Sequence, residues 1–213
     1  MTTPTPIESK NVLLETSEAL TSEQKAVFAY FGVNAKILPP LRILNPQRIR
    51  IGDFTSIREG SHINSFADLS FLLNYVDPAY RGDFTPDQYR YDSCITIERE
   101  CQIGRFFFLS CNRSVTIERN VVLSERVFVG DNNHGFTHPH VPIVQQPNRP
   151  GEPVVIGRGT WVGVGAAILA GARIGQNTVV GANSVVKRGN YPSHAIIAPP
   201  AAEVQFRRHV PDE

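Results

Sequence analysis

Between Val154 and Lys187 the aliphatic positions recur at one spacing. Ile156, Val162, Ile168, Ile174, Val180 and Val186 stand six residues apart. Two positions before the later five lie Thr160, Ala166, Ala172, Thr178 and Ser184, all small or β-branched. Gly157, Gly163, Gly175 and Gly181 each follow an aliphatic residue directly. A period of six fits neither the 3.6 of an α-helix nor a simple strand meander. Fixed self-similarity marks a stacked repeat, and hexapeptides mark a parallel β-helix. Each hexapeptide is then one short flat strand and a tight turn, with three closing a triangular coil. The aliphatic residue points to the prism axis, the small residue fits the corner, and Gly gives backbone freedom where the chain bends. One coil cannot bury its own apolar face, so coils stack roughly 4.8 Å apart around one continuous core.

The same period runs through Ile51, Ile57, Ile63 and Leu69, with Thr55, Ser61 and Ala67 in the small slots. It resumes at Ile97, Ile103 and Leu109 and slips by two residues in the CNRSV stretch. Ile117, Leu123 and Val129 then run in phase, with Val121 and Val127 in the small slots. Two stretches break it. Residues 70–92 carry six aromatics (Phe71, Tyr75, Tyr80, Phe84, Tyr89, Tyr91) and no hexad. From Val129 to Ile156 the spacing is 27 where the pattern needs six, so a loop of about 21 extra residues must bulge out. That loop, rich in proline and histidine, is stiff and disinclined to add strands. Insertions of this kind sit on one face of a repeat protein, often the binding face. The alternative for 70–92 is a flap that packs on the prism or on a neighbouring chain, since aromatics serve both uses.

From Val12 to Phe31 the apolar residues Leu13, Leu14, Leu20, Val27, Phe28 and Phe31 follow a helical pattern, with a cap at Thr21-Ser22-Glu23-Gln24 and a stop at Gly32. Such a lead would cover the open first coil. The expected organisation is an all-β prism of about four to five coils over 41–188, with insertions at 70–92 and 131–153. A helical lead over 1–40 precedes it, and a tail over 189–213 follows.

Composition narrows the field without directing it. An apolar share of 41% and a charged share of 19% describe a globular chain. A net charge of +1 calls for no nucleic acid or acidic membrane. No run approaches the roughly 20 apolar residues that span a bilayer. The first residues lack a basic start followed by an apolar block, so no signal peptide is expected. Cys94, Cys101 and Cys111 read as reduced core or corner residues of a cytoplasmic protein.

The residues DNNHG at 131–135, the proline-rich loop after them, and PVVIGRGTWVGVGAAILAGARIGQNTVVGANSVV at 153–186 carry a resemblance. The chain resembles the hexapeptide-repeat acyltransferases, whose fold is a left-handed parallel β-helix. Within them it is similar to the sugar O-acetyltransferases of the maltose and galactoside acetyltransferase type. The resemblance is good over 94–188, weaker over 45–69, and absent from the first 40 residues and from 70–92. Period alone does not give the hand, and the general crossover rule favours right-handed turns.

What the resemblance implies is acyl transfer from acetyl-CoA, or another short acyl-CoA, without a metal, to a hydroxyl of a sugar or polysaccharide precursor. It also implies a homotrimer with each active site between two prisms. His134 occupies the family's catalytic position. A histidine, ordinarily near pKa 6.5, suits the removal of a hydroxyl proton at neutral pH. Asp131, Glu125 or a backbone carbonyl could fix its tautomer. Asn112 matches an acceptor-binding amide, Asp131 and His138 fall in the acceptor region, and Trp161 matches a family Trp beside the acyl-transfer site. The donor would lie along the groove between prisms, with Gly163, Gly165 and Ala182 offering bare backbone to pantetheine. Lys187, Arg188, Arg207 and Arg208 would supply cations for its phosphates. Against the family's closing turn this chain has Ala198-Pro199-Pro200-Ala201-Ala202-Glu203, where Pro forbids a positive φ and Glu replaces a Lys.

Three rivals share the prism. A γ-carbonic-anhydrase-like zinc protein could use His134, His138 and His140, but 94–133 holds no upstream histidine. An antibiotic or nucleotide amino sugar could replace the hydroxyl acceptor, and a non-catalytic scaffold would use neither substrate. His62, His194 and His209 have no motif around them and read as structural.

Overall fold

The hexapeptide strands close into a three-sided prism in the computed structural model, which describes residues 11–199 and 203–207. Face A stacks Leu41–Leu44, Ser61–Ser65, Phe108–Cys111, Phe128–Gly130, Ala167–Ile168 and Val185–Val186 in parallel. Face B stacks Tyr30–Phe31, Ile49–Ile51, Cys94–Ile97, Ser114–Ile117, Val154–Ile156, Ala172–Ile174 and Gly189–Tyr191. Face C stacks Lys36–Ile37, Ser56–Ile57, Gln102–Ile103, Val122–Leu123, Trp161–Val162, Val179–Val180 and Ala195–Ala198. The chain visits B, C and A in turn. These strands make six complete coils and two sides of a seventh, longer than the four to five expected. The prism already begins at Tyr30 and continues through Ala198, so residues 30–37 and 189–198 are coil strands rather than lead and tail.

The axial positions are those the period marks. Ile51, Ile57, Ile63, Ile97, Leu109, Ile117, Val129, Ile156, Val162, Ile168, Val180 and Val186 are fully buried. Leu69 departs: Ser65 ends the face A strand, and Leu69 leads into the short helix Ser70–Tyr75 outside the prism. Of the free cysteines, Cys101 and Cys111 are buried and Cys94 is exposed. Burial pushes the Cys101 thiol up to about 11 and moves Cys111 in the same direction. No helix among the described residues is long and apolar enough to cross a membrane.

The glycines after the aliphatics do a different job from the one expected. The positive-φ residue lies three positions after the aliphatic, as at Gly159 and Gly165, and is as often Phe54, Phe106, Asn120 or Arg126. Gly157 and Gly163 are needed for stacking instead. A Cβ on Gly163 would stand 2.6 Å from the Ala182 backbone N of the next coil.

The helical lead is largely replaced. Leu13–Thr16 is a strand, antiparallel on the first edge of face A against Leu41–Leu44. Only Ser22–Ala26 is helical, with the expected reciprocal cap between Thr21 and Gln24. Leu20 and Phe28 carry the plug into the core. A longer helix would consume Tyr30–Phe31, which instead pairs with Arg50–Ile51 as the first rung of face B.

Every break in the period falls at one corner, where face A turns into face B. From Ile43 to Ile51 and from Leu109 to Ile117 the axial spacing is eight, a slip of two each time. The insertions between Ile63 and Ile97 and between Val129 and Ile156 leave at the same corner. The other two corners hold the strict period.

At the corner from C to A, Glu59 accepts from Arg58 Nε at 3.1 Å and Arg105 Nε at 2.5 Å. Its own backbone N–H, then these two guanidinium groups, hold its pKa down at about 2 against an ordinary 4.5. A depressed carboxylate stabilises the fold above its unfolded pKa, and this is lost as pH falls toward the folded value. Acid unfolding of Glu59→Gln is therefore expected to show a shallower fall between about pH 4.5 and 2 than the parent. Superimposable acid limbs would remove Glu59 from that account.

Candidate functional site

Two excursions and one tight turn share the A-to-B corner. Residues 66–93 leave after Ser65, residues 131–153 leave after Gly130, and between them Phe108–Cys111 turns into Ser114–Ile117 through Asn112 and Arg113. The excursions bind each other. Tyr89 Oη donates to the Gln145 carbonyl at 2.8 Å, and Tyr91 Oη donates to the Asn148 carbonyl at 3.2 Å. Burial raises the Tyr91 hydroxyl to about 12. His138 Nε2 lies 2.8 Å from Asp83 Oδ2. The Tyr80 ring stands 5.2 Å from His138 and stacks on His140 at 5.8 Å. Residues 70–92 pack on the second excursion, and the two form one cap.

The second excursion is rigid at its root. Asn132–Asn133 pairs antiparallel with Arg149–Pro150. Buried Gln146 closes the loop from inside, donating to the carbonyls of His138 at 2.9 Å and Val141 at 2.7 Å. His134 follows that pair directly. Its ring is exposed and makes no hydrogen bond, ion pair or ring contact with any described residue. A rigid stem thus presents an uncommitted imidazole.

Asn112 is only 2% exposed, yet neither Nδ2 nor Oδ1 has a hydrogen-bond partner. A buried amide without partners is costly.

Asp131 requires correction as an acceptor-facing side chain. The Asp131 carboxylate is fully buried and takes the backbone N–H groups of Asn112, Arg113 and Ser114 at 2.7, 2.8 and 2.6 Å. Neither of its oxygens is left to orient His134. His138 is held by Asp83 in the seam of the cap. Glu125 lies at the C-to-A corner, away from His134.

The remaining expected residues divide. Trp161 lies on face C, 52% exposed, with Nε1–H donating to Ser124 Oγ at 3.1 Å. Gly163, Gly165 and Ala182 stack at the adjoining C-to-A corner. The missing Cβ of Gly163 is accounted for by coil stacking, so it is not by itself a sign of a ligand. Lys187 and Arg188 stand at the other corner, from A to B, and Arg188 is paired with Glu152 at 2.7 Å. Arg207 lies in Glu203–Arg207, antiparallel on face C, where it pairs with Ala195 at the end far from Ala198. Arg208 and His209 lie outside the described residues.

One feature escaped the sequence reading. An open recess of about 420 Å³ on face C is lined by Phe54, Ser56, Arg58, Gln102, Val122 and Glu125. Val122 is the register partner of Trp161 in the next coil. Among the described residues no group of three or more His, Cys, Asp or Glu is placed to hold a metal ion.

Comparison with known proteins agrees with this architecture. Residues 153–188 match the bacterial transferase hexapeptide family, six repeats. Over 110 residues the chain is 36% identical to WbbJ of Escherichia coli (strain K12), named for O-acetyl transfer in lipopolysaccharide biosynthesis. The match covers 48% of this chain and 55% of WbbJ, so the chain spans about half the length of the curated relative it matches. AntD, an N-acyltransferase from Bacillus cereus, superposes with a TM-score of 0.67 and 18% identity, covering 90% of this chain and 91% of that one. That structure is a variant in complex with dTDP-4-amino-4,6-dideoxyglucose and coenzyme A. AntD with dTDP and 3-hydroxybutyryl-CoA gives a TM-score of 0.66 at 18% identity, covering 91% of this chain and 92% of that one. The prism is a left-handed parallel β-helix built of hexapeptide repeats.

Proposed function

We propose that this hexapeptide-repeat chain is a CoA-dependent O-acyltransferase that moves acetyl from acetyl-CoA to a hydroxyl of a sugar or polysaccharide precursor. His134 is the general base. Its imidazole takes the hydroxyl proton as the oxygen attacks the thioester carbon, forming the C–O bond. The tetrahedral intermediate collapses, the C–S bond breaks, and the imidazolium returns the proton to the departing CoA thiolate. A backbone N–H from a neighbouring coil suits the oxyanion. Asn112 receives an acceptor hydroxyl, and Trp161 borders the acyl group.

The observation that carries this reading is the division of the site. His134 and Asn112 sit at the A-to-B corner, whereas Trp161, Gly163, Gly165 and Ala182 sit on face C and the C-to-A corner. No hydrogen bond or ring contact joins the two sets within the chain. A site using both needs the second set from a neighbouring copy. A closed ring of three prisms supplies it three times over. The named chemistry of WbbJ supports the hydroxyl acceptor. Free, buried Cys101 and Cys111 suit a reducing compartment, and we place the protein in the cytoplasm.

The test is thiol release from acetyl-CoA across a panel of methyl glycosides, amino sugars and short acyl-CoAs. Release with hydroxyl acceptors is expected, and none with any of them would overturn the assignment. A preference for amino sugars would move it to N-acylation, the chemistry in AntD's description. For the shared site, His134→Ala and Trp161→Ala subunits are expected to be weak alone and to regain activity when assembled together. A mixture no better than its components would place the whole site within one chain.

A further inference from the structure

The A-to-B corner has an internal anion. Where the period slips by two, the backbone N–H groups of Asn112, Arg113 and Ser114 converge on one point. Consecutive amides turned inward in this way form a concavity that binds anions. The Asp131 carboxylate fills it from the next coil. Oδ1 accepts from Asn112 N at 2.7 Å, and Oδ2 accepts from Arg113 N at 2.8 Å and Ser114 N at 2.6 Å. The Cys111 thiol donates to Oδ2 at 3.3 Å, and Asn132 Nδ2 donates to Oδ1 at 3.3 Å. No part of Asp131 is exposed.

The same residue roots the second excursion. Its N–H donates to the Ser110 carbonyl at 3.2 Å, and its own carbonyl accepts from Gly151 N at 2.7 Å. That pair of bonds closes the base of the stem Asn132–Asn133 and Arg149–Pro150, beyond which His134 stands. One buried residue therefore fixes the corner that carries the Asn112 amide and the stem that carries the imidazole. Its carboxylate touches neither side chain.

We propose that Asp131 is a positioning residue, which sets the acceptor amide of Asn112 relative to His134 by holding the three corner amides. This rests on the assignment of Asn112 and His134 made above. An Asn at this position keeps the size but offers one oxygen to three N–H donors and turns an NH₂ toward them. The corner must then relax, and Asn112 moves with it. Misplacement near 1 Å at a reacting pair costs on the order of a hundredfold.

The experiment is a cycle of Asp131→Asn, Asn112→Ala and the double variant, assayed with acetyl-CoA and the best methyl glycoside. Asp131→Asn is expected to raise the glycoside KM and lower kcat, about a hundredfold together, with the acetyl-CoA KM unchanged. The double variant is expected to be little worse than Asn112→Ala, because the carboxylate acts through that amide. Losses that multiply, an equal rise in both KM values, or parental rates in Asp131→Asn would each overturn the proposal. Cys111→Ala, which removes the thiol shared between Asp131 Oδ2 and the Cys94 carbonyl, is the milder probe if Asp131→Asn does not fold. It is expected to show the same glycoside-specific, non-additive loss at smaller size, and its failure to do so counts equally against the idea. Hydrogen exchange at the amides of 112–114 gives a readout independent of activity. Slow exchange in the parent and fast exchange in Asp131→Asn, or in Cys111→Ala to a lesser degree, supports the clamp even if no acceptor is turned over. That last outcome would defeat the enzyme assignment alone.

Discussion

His134→Ala is expected to lower kcat for hydroxyl acetylation by about 10²–10⁴, with the acetyl-CoA dissociation constant and the unfolding midpoint of the parent. The size follows from the work assigned to the ring. An alcohol is a poor nucleophile until its proton leaves, and two neighbouring groups are already occupied: Asp131 is committed to three amides, and His138 to Asp83. The specificity follows from the surroundings. His134 is exposed and bonds to no described residue, so truncating it removes little that holds the fold. Kinetics and thermal unfolding on one preparation check both halves. A fall in kcat accompanied by an equal collapse in stability would make the residue structural. A loss of only a few-fold with an amino sugar would mark an acceptor nucleophilic enough to manage without a base. Either result would be visible before any acceptor complex is solved.

The parts of this molecule legible in its sequence are those where one residue does one repeated thing. An axial aliphatic every six positions reports burial directly, and Ile156 to Val186 stand where that period puts them. What was not legible depends on several physical constraints acting together. Gly163 serves to let Ala182 approach, a contact nineteen residues away that no local rule registers. Leu13 to Phe31 matched a helical template because alternation over four residues and a five-residue helix can add up to one. Asp131 lies in a motif whose resemblance suggested a ligand contact, and only the slip at 112–113 explains why its carboxylate turns inward. The slip was visible, but its partner one coil away was not. The cap was half legible: aromatics in one insertion and prolines in the other were evident, but their contact through Tyr89 and Gln145 spans 56 positions.

Phe107→Ala is expected to destabilise the protein by about 3–5 kcal/mol, the largest stability loss of any single truncation considered. Phe107 occupies a slot two before axial Leu109, where other coils carry Ser61, Val127, Ala166 or Ser184. It is fully buried and among the largest such side chains. The coil on either side cannot close over a vacancy. His62 N donates to the Phe107 carbonyl at 2.8 Å, and Phe108 N donates to the Val127 carbonyl at 3.1 Å, so coil spacing is set by backbone bonds rather than side-chain volume. A cavity that cannot collapse keeps its full cost, unlike one in a helical core whose elements shift. Phe107→Leu should lose less than about 1.5 kcal/mol, because most of the volume is retained. Denaturant unfolding of both variants at one protein concentration checks the pair, with concentration held fixed because assembly adds to apparent stability. Should the alanine variant lose under 1 kcal/mol, the coils are free to settle and the prism is softer than its ladder of hydrogen bonds implies. Because each coil touches only its neighbours, hydrogen exchange should quicken first at coils 49–63 and 114–129, flanking the cavity. The corner that carries Asn112 follows the strand Phe108–Cys111, which Phe107 leads into. Loosening there should reach the acceptor amide before it reaches the distal coils around Val180, coupling the stiffness of the prism to the geometry of the site.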